Sequence, residues 1–152
     1  MASCRPYAPS DRDAVVSLWY RSWHAAFPDL QHPQPLLVWK ERFEREIEPS
    51  AEVWVTEQDG DVAGFMALLV GQGVLDQLFI APEWSRSGAG SALVVIAKAR
   101  CPAGLTLSTL ERNAMARAFY ERHGFRSGER GVNRVNGQPT ITYRWTPSTT
   151  AG

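Results

Sequence analysis

Apolar residues recur along the chain with two periods, and the places where one gives way to the other mark its elements. Ala14, Val15, Leu18, Trp19 and Trp23 fall on one helical face whose only polar member is Ser22. Ser10 and Asp13 ahead of it read as a capping box, and Phe27-Pro28-Asp29 ends it. A loop carrying Pro28, Pro33 and Pro35 leads to a second helix over 35–47, apolar at Leu36, Leu37, Trp39, Phe43 and Ile47. Its Lys40, Glu41, Arg42, Glu44, Arg45 and Glu46 form a solvated face.

From there the period shortens to two. Residues 53–57 alternate, Asp59-Gly60 is a hairpin signal, and 62–70 is apolar almost throughout, as a strand buried on both faces is. Gly71-Gln72-Gly73 turns the chain into a third strand, Val74–Ile80, which completes an antiparallel meander. A helix from 88 to about 99 packs Ala92, Leu93, Ile96 and Ala97 inward until Pro102 and Gly104 stop it, and Leu105–Leu110 is another strand. A strand, a crossover helix and a strand form a right-handed unit with parallel strands, so the sheet is mixed. Asn113 caps a helix over 114–123 that Gly124 ends. Met115, Ala118, Phe119 and Arg122 share one side of it, Ala116 and Tyr120 another. Phe125 starts a further strand, Asn136-Gly137 marks a turn, and 140–145 is the last strand. With a short strand over 3–7, this makes one domain over 1–145 and a frayed tail over 146–152.

Charge removes some partners. The 16 basic and 16 acidic residues cancel, which leaves no electrostatic case for nucleic acid or a membrane surface. Cys4 and Cys101 are far apart and lack metal or redox spacing, as expected of reduced thiols in a cytoplasmic protein. No apolar signal region opens the chain, no stretch is long enough to span a bilayer, and His24, His32 and His123 lack metal spacing.

The stretch 78–93 carries the candidate chemistry. An apolar strand breaks at Pro82, passes through Ser85-Arg86-Ser87-Gly88-Ala89-Gly90-Ser91, and opens a helix. Small side chains let backbone N–H groups approach a ligand, and a helix start supplies unpaired N–H groups and a positive dipole. A phosphate or diphosphate suits such a place, with Arg86 as an added donor; an ordinary tight strand-to-helix turn uses the same residues. A dinucleotide fingerprint fails, because Leu93 occupies the third glycine position.

Pro82 with Gly88-Ala89-Gly90, taken together with the pattern Asn113-x-x-Ala116-x-x-Phe119-Tyr120-Glu121-x-x-Gly124-Phe125, resembles the GNAT superfamily of acyl-CoA-dependent N-acyltransferases. The order of elements is similar to that fold over nearly the whole chain, which implies an α/β fold: a mixed, mostly antiparallel sheet flanked by helices on both faces. The family's phosphate loop has Arg or Gln where this chain has Ser85, with Arg86 one place later. The backbone cradle survives that change, while side-chain help for the diphosphate rests on Arg86.

The resemblance implies an enzyme that moves an acetyl group from acetyl-CoA, as cosubstrate and without a metal, directly to an amine. The coenzyme would lie between the strands ending at Ile80 and Leu110, its pantetheine arm paired with the backbone of Leu78, Phe79 and Ile80. The amides of Arg86, Ser87, Gly88, Ala89, Gly90 and Ser91 would hold the diphosphate. Asn113 would reach the pantetheine while capping its helix, and Tyr120 would face the sulfur. An oxyanion donor would come from a backbone N–H late in the third strand.

An alkyl amine near 10.4 costs about 4.6 kcal/mol to neutralise at pH 7. Asp76, two residues before Leu78 and so expected on its side of the strand, is a candidate base and equally a carboxylate that binds a cationic substrate. Glu111, Glu129 and His24 are weaker candidates. A phenol near 10 protonating a thiolate near 8.5 is uphill by about 2 kcal/mol, which leaves Tyr120 as acid or as hydrogen-bond donor, or else as a core tyrosine. Cys101 has no partner His nearby in sequence to make it a nucleophile.

The acceptor end would be built from the first two helices, their loop and the turn over 133–139. Trp19, Trp23, Phe27 and Trp39 either line an aromatic pocket there or, as is commoner, form core. The acceptor expected is the amine of a small molecule; acetylation of a protein N-terminus or lysine, and a non-catalytic CoA-binding or sensing domain, are the alternatives, and a homodimer is compatible with the chain.

Overall fold

The computed structural model describes residues 3–29, 34–134 and 136–147. Leu30 to Pro33, including two of the expected loop's residues His32 and Pro33, lie outside them, as do Val135 and most of the tail, 148–152. In chain order the elements are β1 (Ser3–Pro6), α1 (Arg12–Ala26), α2 (Leu36–Arg42), β2 (Glu52–Gln58), β3 (Asp61–Leu69), β4 (Val74–Ile80), α3 (Ala89–Arg100), β5 (Leu105–Leu110), α4 (Ala114–Arg122), β6 (Arg126–Val132) and β7 (Pro139–Trp145). The seven strands form one sheet in the order β1-β2-β3-β4-β5-β7-β6, antiparallel except where β4 meets β5.

β3 explains why helices cover both faces. Its period-two alternation sends Phe65 and Ala67 to one side and Met66 and Leu68 to the other, and all four are fully buried. Phe65 and Ala67 join Val15, Leu18, Trp19, Trp39 and Phe43 beneath α1 and α2. Met66 and Leu68 join Leu93, Val94, Leu107, Tyr120 and Tyr143 beneath α3 and α4. On α3, Leu93 and Ala97 are buried as expected and Val94 joins them, whereas Ala92 and Ile96 stay half-buried. On α4, Ala116 and Tyr120 face inward and Met115 is largely exposed.

The start of α1 departs from the expected capping box. A single 3-10 turn, Pro9–Asp11, precedes the helix, and Asp11 rather than Asp13 turns back to accept the Ala8 N–H at 2.8 Å. Asp11 prevails because it also takes two hydrogen bonds of 2.8 Å from the Arg5 guanidinium, while exposed Asp13 pairs with Lys40 at 3.3 Å. The second helix widens into a π-helical turn over Phe43–Ile47. Every residue of β6 is exposed, as an edge strand allows. Among the described residues no helix is long and apolar enough to cross a membrane.

Candidate active site

The sheet has one weak seam. β5 pairs with β7 along all of Leu105–Leu110, but β4 pairs with β5 only at Val74 and Thr106, where the Thr106 N–H donates to the Gly73 carbonyl at 2.8 Å. Beyond that rung the two strands part. Two adjoining hollows of about 200 and 100 Å³ occupy the gap. The second runs from Asp76, Leu78 and Phe79 across to Ser108 and is closed by Asn113, Ala116 and Tyr120. A strand edge left open inside a protein has N–H and C=O groups to offer an extended ligand.

The loop beyond β4 is built to present N–H groups. Pro82–Trp84 makes a 3-10 turn, and the Ser85 and Ser87 amides are used inside the loop, donating to the carbonyls of Pro82 and Trp84 at 3.3 and 3.2 Å. The Ala89 N–H turns to Ser87 Oγ at 3.4 Å. The amides of Arg86, Gly88, Gly90 and Ser91 have no protein partner among the described residues. The cradle is therefore narrower than the whole run from 86 to 91. Two residues bend the chain into it: Arg86 at φ 64° and Gly88 at φ 89°. The left-handed region is strained for a side chain such as that of Arg86 by about 1–2 kcal/mol. Gly90 has a second reason to be small: a Cβ there would lie 3.2 Å from the Phe119 ring. The exposed Arg86 side chain has no ion pair among the described residues.

Asn113 caps α4 by accepting the Ala116 N–H at 3.1 Å, and its residue also lines the cleft. Tyr120 is 7% exposed. Its ring packs against Phe119, Phe125 and Tyr143 at centroid distances of 5.3, 5.6 and 6.3 Å. Its hydroxyl makes no protein hydrogen bond among the described residues, and the residue borders the cleft. Burial holds the phenol well above its ordinary range, so it keeps its proton and makes full proton transfer to a thiolate harder than for a free tyrosine.

Behind it lies a network that sequence reasoning missed. The Tyr143 hydroxyl donates to Glu121 at 2.6 Å and accepts from Arg117 Nε at 3.0 Å. Arg117 also donates to the Glu111 carbonyl at 3.1 Å. A tyrosine in an alternating strand does not announce which face it will take; the sign was Arg117 and Glu121, four apart on the helix that carries Tyr120.

Asp76 corrects one expectation. Ala67 pairs with Gln77 and Leu68 with Leu75, so Asp76 is the extra residue of a β-bulge. The bulge shifts the alternation: Leu75 and Leu78 both pack with the α3–α4 cluster, while the charges that act on Asp76 are Arg42 and Glu46, near the other face. Asp76 and Leu78 do not share a side. The Asp76 surface opens to the cleft, yet the cleft walls strip away enough water that desolvation pushes its carboxyl above the ordinary range. A hydrogen bond with Gln77 and the charge of Arg42 oppose the rise, and Glu46 adds to it.

The weaker candidates are engaged elsewhere. Glu111 pairs with Arg130 at 3.4 Å and Glu129 with Arg144 at 3.7 Å, and His24 Nδ1 lies 2.7 Å from the Tyr20 carbonyl. Trp19, Trp23, Phe27 and Trp39 are core, at 3, 8, 4 and 1% exposure. Asp29 and Arg112 form an ion pair of 2.8 Å, with the guanidinium over Phe27. This ties the end of α1 to the loop before α4. Cys4 and Cys101 are free thiols that burial pushes up. No metal-ligand cluster occurs among the described residues.

The model of the acetyltransferase (GNAT) domain family matches residues 29–147. The peptidyl-lysine N-acetyltransferase YjaB of Salmonella typhimurium (strain LT2) is 34% identical over 128 residues, which are 83% of this chain and 84% of the relative. The peptidyl-lysine N-acetyltransferase YiaC of Escherichia coli (strain K12) is 30% identical over 124 residues, 76% and 77% of the two chains. Among solved structures, apo-form YjaB from Escherichia coli superposes with a TM-score of 0.78 at 26% identity, covering 97% of this chain and 99% of that one.

Proposed function

This chain belongs to the GNAT acetyltransferase family, and from that we propose that it moves an acetyl group from acetyl-CoA to a lysine side chain of a protein. The observation that carries the proposal is the open seam. Its residues fit the coenzyme: the free amides of Arg86, Gly88, Gly90 and Ser91 suit a diphosphate, and the edge of Leu78–Ile80 that β5 leaves unpaired suits the amide-bearing arm that follows, with the Ile80 carbonyl already accepting from Ser22 Oγ at 3.1 Å. When bound, acetyl-CoA supplies an acetyl thioester.

The chain's own residues then do the following. Backbone N–H groups of β4 facing the seam steady the carbonyl oxygen. The Asp76 carboxylate draws the acceptor ammonium into the cleft and takes part in removing its proton, directly or through water. Its raised affinity for a proton narrows the gap to the amine. The Tyr120 hydroxyl, protonated and unclaimed by protein, donates a hydrogen bond to the departing sulfur. Asn113 orients the arm with the part of its amide that the cap leaves over.

Two relatives named as peptidyl-lysine acetyltransferases support a lysine acceptor. So does the burial of Trp19, Trp23 and Trp39, the rings that would otherwise enclose a small amine. The Asp29–Arg112 ion pair favours a second reading, a small-molecule amine, because it narrows the acceptor side. Incubating the protein with acetyl-CoA and either N-terminally blocked lysine peptides or free amines, read by mass spectrometry and thiol release, tests both. Acetylated lysine Nζ is the expected product. Turnover of a small amine with peptides untouched moves the acceptor to the second reading, and coenzyme binding without transfer to anything removes catalysis.

A further inference from the structure

The first turn of α3 has a contact that neither the fold nor the chemistry above requires. Ser91 Oγ lies 3.1 Å from His123 Nε2, across the gap between α3 and the end of α4. Ser91 is one of the four residues whose amides are free. The imidazole is fixed from several sides: it packs against the Phe119 ring at a centroid distance of 4.6 Å and a tilt of 52°, its residue's carbonyl accepts from Lys98 Nζ, and Gly90 leaves room for Phe119 to approach α3. We propose that His123 is a positioning residue for the coenzyme diphosphate, acting through the Ser91 hydroxyl. This rests on the reading that the α3 turn holds that diphosphate.

The argument is one of hydrogen-bond direction. A neutral imidazole with a bare Nε2 accepts the Ser91 O–H, and the hydroxyl then turns oxygen lone pairs, not a proton, toward an anion. An imidazole protonated at Nε2 donates to Ser91 Oγ, which frees the O–H to donate to a phosphate oxygen. The doubly protonated ring does the same and adds a positive charge near the anion. An anion in the turn therefore favours the protonated ring.

The charged groups around the ring oppose that state in the free protein. The charges that act on it are Lys98, which faces it from α3 with its ammonium over the Phe125 and Trp145 rings, and Arg122, which adjoins it on α4. Desolvation, with Lys98 and Arg122, lowers His123 below its ordinary value. Coenzyme binding should raise it again, so proton uptake accompanies binding, and affinity grows as the pH falls from the raised value of the complex toward the free value and levels off below it. A rise of one pH unit corresponds to about a tenfold tightening once the pH is below both values.

Imidazole NMR titration of the full chain, free and saturated with CoA, tests this. Only His24, His32 and His123 contribute signals, and His123→Gln assigns them. The expected result is a His123 titration that moves upward on saturation, with the coenzyme dissociation constant of wild type falling more steeply toward pH 5.5 than that of His123→Gln. The wild-type minus variant difference removes the coenzyme's own 3′-phosphate titration. Ser91→Ala, which keeps the ring, should shrink the upward movement, and this arm stands even if the glutamine variant folds poorly. Coenzyme binding with an unmoved His123 titration overturns the proposal alone. No binding to wild type at any pH overturns the diphosphate reading and the proposal with it.

Discussion

Replacing Tyr120 by phenylalanine removes one oxygen from a side chain that is 7% exposed. The ring's packing on Phe119, Phe125 and Tyr143 is retained, and no protein hydrogen bond is lost among the described residues. A deleted hydroxyl destabilises a fold chiefly by orphaning its partner; here there is none to orphan. The stability change should stay within about 0.5 kcal/mol, which for a domain of this size keeps Tm within about 2 °C. Catalysis should respond quite differently. Losing one donor aimed at developing charge costs on the order of 10²–10³ in kcat, about 2.7–4 kcal/mol. Thiol release at saturating acetyl-CoA and acceptor, run beside scanning calorimetry, separates the two effects. Because burial holds the phenol above its ordinary value, the wild-type rate should also not decline on its account below about pH 10. A phenylalanine variant with the full rate would refute the donor role. One that loses several kcal/mol of stability at an unchanged rate would recast Tyr120 as a core strut whose hydroxyl bonds inside the protein.

Three further outcomes follow from the geometry. Asp76→Asn should raise the acceptor KM and abolish the acid limb of the pH–rate profile; since desolvation raises this carboxyl, the limb in wild type should lie above the ordinary carboxylate range near 4. Gly88→Ala meets no atom within 4 Å but must hold φ 89°, so it should cost about 1–2 kcal/mol and weaken coenzyme binding. Gly60→Ala at φ 84°, also in open space, should cost as much stability and leave coenzyme KM unchanged, as kinetics on the pair would report. Asp11 is held below its ordinary value chiefly by Arg5, so its stabilisation is complete above about pH 4 and fades as the pH falls through the lowered value. Denaturant titrations of Asp11→Asn should show a loss of about 1.5–3 kcal/mol at pH 7 that disappears in acid.

Local chemistry was legible where one period or one turn decides it. Val74–Ile80 and Leu105–Leu110 match the strands bounded in the sequence by their glycine and proline turns, and the Asn113 cap and the bend at Gly88 follow from residue type alone. Long-range placement was harder. β7 inserts between β5 and β6, and nothing local to Pro139–Trp145 selects its neighbours. The bulge at Asp76 was hidden because one extra residue in a ladder leaves no mark in composition, yet it changes which face the candidate base takes. The amides were legible as a group but not singly: that Ser87 and Ala89 spend theirs inside the loop depends on φ at Arg86 and Gly88. The tryptophans went to core because α1 and α2 both bury their apolar faces against β3.

The single rung joining Val74 to Thr106 has a kinetic consequence. Amide hydrogens of β4 that point away from β3 face water although they belong to the middle of a seven-stranded sheet, so deuterium should enter there within the time that terminal loops exchange, while β3 and β7 on either flank stay protonated. A fast stripe bordered by two slow ones would thus run through the centre of the molecule, and its disappearance on adding a ligand would map that ligand's main chain without any crystal.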